Sequence, residues 1–117
     1  MKKINILLLS ALMQFPADAA EIDISDAWCT KQNGISQFRT KDGTYVDCLT
    51  AQYAVEAEFD NKWKEGIGQA LHYAESTEKE AAILFIKRAK SRKNYHGELM
   101  RVINKYNLPI RVFIVEE

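Results

Sequence analysis

Asp47, Glu56 and Glu58 are three carboxylates that the local sequence pattern can bring together. Alternation along Tyr53 to Phe59 puts Ala54, Glu56 and Glu58 on one face of a strand and Val55, Ala57 and Phe59 on the other. In the preceding strand, Thr44 to Leu49, the same period groups Tyr45, Asp47 and Leu49. A tight turn near Ala51-Gln52 would set Asp47 directly opposite Glu56. Like charges so placed repel one another unless a cation stands between them. Mg2+ or Mn2+ suits such a group, because both take oxygen ligands and Mg2+ commonly uses only one or two protein carboxylates. A solvated outer face of a hairpin, where acidic residues cost little, is the competing reading.

The following segment adds polar groups at helical spacing. At about 100° per residue, Lys62, Gly66, Gln69 and Tyr73 form one narrow stripe beside an apolar face of Trp63, Ile67, Ala70, Leu71 and Ala74. The apolar face is the core contact, so the stripe borders it and can overhang the carboxylates. Gly66 and Gly68 each cost about 1 kcal/mol relative to Ala inside a helix, which points to close approach of another backbone or a ligand, the alternative being an imperfect helix. Lys64 falls on the far side.

The elements that must position these residues follow from turn and periodicity signals. Glu21 to Gln32 reads as a helix stopped by Asn33-Gly34. Ile35 to Thr40 and Thr44 to Leu49 are strands joined at Lys41-Asp42-Gly43, and Tyr53 to Phe59 is a third strand. Asp60-Asn61 can cap a helix from Lys62 to about Ser76. Ala81 to Ile86 is apolar throughout, as in a strand buried on both faces. A basic stretch containing Lys87, Arg88, Lys90, Arg92 and Lys93 precedes a helix from about Tyr95 to Tyr106, and Ile110 to Val115 forms the last strand. The order is α-β-β-β-α-β-α-β, and it predicts an α/β fold with a mixed sheet flanked by helices.

The start of the chain reads differently. Lys2 and Lys3, the apolar run Ile4 to Met13 and the small residues of Ala17-Asp18-Ala19 predict a signal peptide over 1–19, cut after Ala19. The run is too short to span a bilayer, which takes about 20 apolar residues. Residues 20–117 then form one domain, periplasmic or secreted, with no membrane attachment once the signal is removed. The whole chain balances 16 basic against 16 acidic residues. Without Lys2, Lys3 and Asp18 the domain keeps 14 against 15, which excludes a purely electrostatic nucleic-acid binder. Cys29 and Cys48 are the only cysteines, and an exported chain favours a bond between them over two buried thiols.

Val46-Asp47, then Val55-Glu56-Ala57-Glu58, then Gln69 and Tyr73 resemble the PD-(D/E)xK nuclease superfamily, the restriction-endonuclease-like fold. More narrowly, Asp42 to Thr50 and Lys62 to Tyr73 look like a group of small exported bacterial proteins within it. The resemblance implies a restriction-endonuclease-like core and metal-dependent phosphodiester hydrolysis of nucleic acid, DNA first. It assigns Asp47 and Glu56 to the metal, with Glu58 as a further ligand, and Gln69 and Tyr73 to substrate. The family's usual lysine position holds Glu58 here, so Lys62 is expected to take the lysine's place. The alternative is an inactive nuclease-fold module that binds nucleic acid or a protein partner. The basic stretch could grip phosphates, with Tyr95 stacking on a base, or be only a solvated surface loop.

Overall fold

The structure is a computed structural model that describes residues 13–117. The charged start and most of the apolar run of the expected signal lie outside the described residues. Its last residues lie within them: Phe15 N donates to Glu116 O at 2.8 Å and Glu116 N to Met13 O at 3.1 Å, so this segment runs beside the final strand. Among the described residues, no helix is long and apolar enough to cross a membrane.

Among the described residues, three helices flank a five-stranded mixed sheet. The elements are α1 (Glu21–Lys31), β1 (Ile35–Arg39), β2 (Tyr45–Leu49), β3 (Tyr53–Phe59), a 3-10 turn (Asp60–Lys62), α2 (Trp63–Thr77), β4 (Glu80–Lys87), α3 (Tyr95–Tyr106) and β5 (Ile110–Glu116). The strands lie side by side in chain order. β1–β2 and β2–β3 are antiparallel hairpin partners, whereas β3–β4 and β4–β5 are parallel and joined through α2 and α3. The element order and the mixed sheet are those the sequence predicts.

Period-2 alternation divides the core into two layers. On one side Val55, Ala57, Ala82, Leu84, Ile86 and Val115 pack with Ile24, Trp28 and Cys29 of α1. On the other, Ala81, Ile83 and Phe85 pack with Trp63 and Ala70 of α2 and Leu99 and Ile103 of α3. Two successive parallel crossovers advancing the same way bring α2 and α3 to one face. β4 carries both layers, which explains its unbroken apolar run from Ala81 to Ile86.

Cys29 and Cys48 form a disulfide with Cα atoms 5.6 Å apart, tying α1 to β2. Gly34 makes room for it, since a Cβ there would stand 2.6 Å from Cys48 Sγ and 2.8 Å from Cys29 Sγ. The left-handed residue that ends α1 is Asn33, at φ 58°.

One local expectation resolves differently. Asp60 does not cap α2, whose N-cap is Lys62 without a side-chain bond. The Asp60 carboxylate is buried and turns toward the β4–α3 loop, where it accepts from Arg88 N at 3.3 Å and Ser91 Oγ at 2.9 Å. His72 joins the β1–β2 turn to α2 through a 2.9 Å contact between its Nε2 and Asp42 Oδ2. Asp42 also accepts from the hydroxyls of Thr40 and Thr44, and these bonds hold its carboxyl below the ordinary range, the Thr40 bond most strongly.

Candidate functional site

The β2–β3 hairpin sets the first half of the site. Thr50 N donates to Tyr53 O at 2.9 Å around a two-residue turn at Ala51-Gln52, and Cys48 pairs with Val55 and Leu49 with Ala54. Continuing that register brings Asp47 level with Glu56. The ladder does not continue there in backbone form: Asp47 Oδ2 instead takes the Ala57 amide at 2.8 Å. On the other side of Asp47, Gln37 adopts φ 54°, rare for a non-glycine residue, and its Nε2 donates to Asp47 Oδ1 at 3.2 Å. Both carboxylate oxygens of Asp47 are therefore held in place, and the left-handed Gln37 costs about 1–3 kcal/mol of backbone strain.

The face that Glu56 and Glu58 present lies under α2. Both side chains are buried, at 6 % exposure each. Glu58 fits because residue 66 is glycine: a Cβ there would stand 3.0 Å from Glu58 Cγ. The close approach expected of Gly66 is thus to a carboxylate side chain, while Gly68 has nothing within 4 Å of its Cβ position. The Gln69 amide nitrogen, in the orientation that satisfies its neighbours, donates to Glu56 Oε2 at 2.5 Å and Glu58 Oε2 at 3.0 Å.

These groups share one cleft of about 400 Å³, lined by Asp47, Glu56, Glu58, Lys62, Gln69 and Tyr73 together with Glu21, Tyr45, Phe59 and Glu65. Every site residue expected from the sequence is in it. The sequence reading did not find Glu21, Gln37 or Glu65, and it placed Tyr45 only on the face it shares with Asp47. Glu21 reaches the cleft from the first turn of α1, where its Oε2 accepts from Phe59 N at 3.2 Å. Nothing local in the sequence announces that contact across 38 positions.

Electrostatics follow from five carboxylates and one ammonium in the cleft lining. Burial, then the charge of Asp47 and the approach of Glu58, drives the Glu56 carboxyl far above its ordinary range. Glu58 also rises, mainly from burial, although its bond with Glu56 pulls the other way. Glu21 is raised by burial and by Asp47. The Tyr73 hydroxyl is pushed up by burial and by Glu56, so it remains a neutral donor. Protons or a bound cation must offset this crowding.

The donor set can be tested against a hard divalent ion. Among the described residues, no three His, Cys, Asp or Glu side chains form a ready-made metal cage. Mg2+ does not need one, since it keeps several waters and uses one or two carboxylates. Asp47 and Glu56 supply those two, all donors are oxygen, and a cation would balance their crowded charge. The residues fit. A larger cavity, about 620 Å³, lies between the β1–β2 turn and the end of α2, but its Asp42 and His72 are already bonded to each other.

No protein-family model matches the chain, and neither does any curated protein or solved structure.

Proposed function

We propose that this chain is a divalent-metal-dependent nuclease, hydrolysing phosphodiester bonds of DNA or a related nucleic acid in the periplasm or outside the cell. The observation that supports it is the gathering of Asp47, Glu56 and Glu58 beneath Lys62, Gln69 and Tyr73 in a single cleft. A phosphodiester would not approach five carboxylates unaided, so the cleft calls for a cation before it can take an anionic substrate. Asp47 and Glu56 would hold Mg2+ or Mn2+, with Glu58 as a further ligand. Bound there, the ion would polarise a phosphoryl oxygen and acidify a water.

The chain's own groups do the rest. Gln37 and the Ala57 amide fix Asp47. Gln69 spans Glu56 and Glu58 and holds them in register. Lys62, exposed at the cleft, brings a positive charge to the phosphate, the part the family's lysine plays. Tyr73 can donate its neutral hydroxyl to a substrate oxygen. The disulfide and the sequence of residues 1–19 support export as the setting.

One observation favours a second reading, a non-catalytic module that binds nucleic acid or a protein partner: Glu58 occupies the position where the resembled family carries lysine. Cleavage of DNA and RNA with Mg2+, with Mn2+ and with chelator separates the two. Metal-dependent cleavage is expected, and Asp47→Asn or Glu56→Gln should each lower it by about 100-fold or more. Lys62→Ala should reduce turnover by about 100-fold at unchanged metal affinity, with Lys64→Ala close to wild type. Equal losses at Lys62 and Lys64 would remove Lys62 from the reaction. No cleavage by the wild type with either metal would leave the binding module.

A further inference from the structure

A second group of cations stands at the same edge of the sheet as the carboxylate cleft. β3 and β4 are parallel, so the turn after β3 and the loop after β4 emerge side by side at their carboxyl ends. The first carries Asn61 and Lys62. The second carries Arg88, Lys90, Arg92 and Lys93, and with Asn61 and Tyr95 it lines a separate recess of about 290 Å³. Carboxyl ends of parallel strands are where open α/β sheets place ligands.

The loop is bound to the cleft wall. Buried Asp60 accepts from Arg88 N and Ser91 Oγ, and Glu117 Oε1 accepts from Ala89 N at 3.1 Å. The Arg88 guanidinium lies over the Phe59 ring, 4.2 Å from its centroid, and Phe59 also lines the cleft. Two of the four cations are already engaged, Arg88 near Glu117 and Lys93 with Glu98 at 3.1 Å. Among the described residues, Lys90 and Arg92 have no carboxylate within ion-pair distance, and both are exposed. Lys93 Nζ lies 5.5 Å from the Tyr95 ring centroid. The cations that line the recess suit a phosphate.

We propose that the β4–α3 loop is a phosphate-binding site, in which Lys90 and Arg92 hold the backbone of a nucleic-acid strand whose reacting phosphodiester lies in the neighbouring carboxylate cleft. This rests on the nuclease reading of that cleft. It adds a sequence-independent grip, because ammonium and guanidinium groups on phosphates position a strand without reading its bases. It also explains how a nearly neutral domain with an acidic cleft could retain a polyanion: the positive charge is local and sits beside the site.

Anisotropy of a labelled thymidine oligonucleotide of about a dozen nucleotides, titrated with the full chain in chelator at several salt concentrations, tests it. The wild type should bind with marked salt dependence. Lys90→Ala/Arg92→Ala should weaken binding by about tenfold and lower the slope of log affinity against log salt by about 1.4, for two lost contacts to a single strand. Lys64→Ala/Lys105→Ala, which removes the same charge elsewhere, should change neither. No wild-type binding, or equal losses in the two double variants, would overturn the site. The cleavage assay decides the cleft separately: binding without cleavage keeps the grip and removes the nuclease, while cleavage with an unchanged salt slope does the reverse.

Discussion

The two faces of β3 are equally dry and chemically opposite. Val55 and Ala57, at 1 % and 2 % exposure, enter an apolar layer with Ile24, Trp28 and the Cys29–Cys48 bond. Glu56 and Glu58, one residue out of phase and at 6 % exposure, enter a group of carboxylates under α2. The first face stabilises through the removal of apolar area from water. The second costs stability, because buried carboxyl groups near like charge resist ionising. Buried acids are not needed to fill a layer, so this contrast is what places the proposed site on the α2 face and its support on the α1 face.

A large effect on stability should come from the supporting side. Cys29→Ala/Cys48→Ala removes a crosslink between residues 19 apart and should lower stability by about 3 kcal/mol in chemical denaturation. Metal-dependent cleavage measured well below the melting temperature should change little, since the bond lies on the opposite side of β3 from Glu56 and Glu58. Loss of cleavage in a still-folded variant would show that the two faces are not separable in this way.

A smaller effect distinguishes two glycines of α2. Gly68→Ala meets open space and should stabilise by up to about 1 kcal/mol through helix propensity. Gly66→Ala gains the same propensity but pushes on Glu58 Cγ, and overpacking of this kind costs about 1–3 kcal/mol. Thermal melts should rank Gly68→Ala above wild type and Gly66→Ala at or below it, with reduced cleavage only for Gly66→Ala. A stabilised and fully active Gly66→Ala would mean that Glu58 can move without consequence.

These contrasts show where the sequence was readable. Period-2 alternation and a two-residue turn were enough to bring Asp47 level with Glu56, and helical spacing was enough to put Lys62, Gln69 and Tyr73 above them. Both signals are local and periodic. The parts that could not be read depend on tertiary placement. Glu21 looks like an acidic residue suited to a helix N-terminus until α1 is docked and Phe59 N meets it. Asp60 looks like a helix cap until the β4–α3 loop arrives to compete for it. Gln37 has no sequence feature that predicts φ 54° or its bond to Asp47.

The most diagnostic effect is on pH dependence. Glu56 and Glu58 have folded-state values raised above the ordinary 4.5, Glu58 to about 7 and Glu56 higher still, and Glu21 moves the same way. For a carboxyl raised in this direction the folded state holds the extra proton, so its contribution is fully present below about 4.5 and is lost as pH climbs toward the folded value. Without divalent metal, the melting temperature should therefore be lower near about pH 8 than near about pH 5. Glu56→Gln/Glu58→Gln should flatten that slope and raise the value at the higher pH, since an amide carries no charge to bury. Mg2+ or Mn2+ should recover stability at about pH 8 in the wild type and much less in the double variant, because binding to the folded state alone adds to its stability. Wild-type melts that are flat or rise from about pH 5 to about pH 8 would mean that the carboxylates ionise at little cost. The α2 face would then be no different in kind from a solvated hairpin surface.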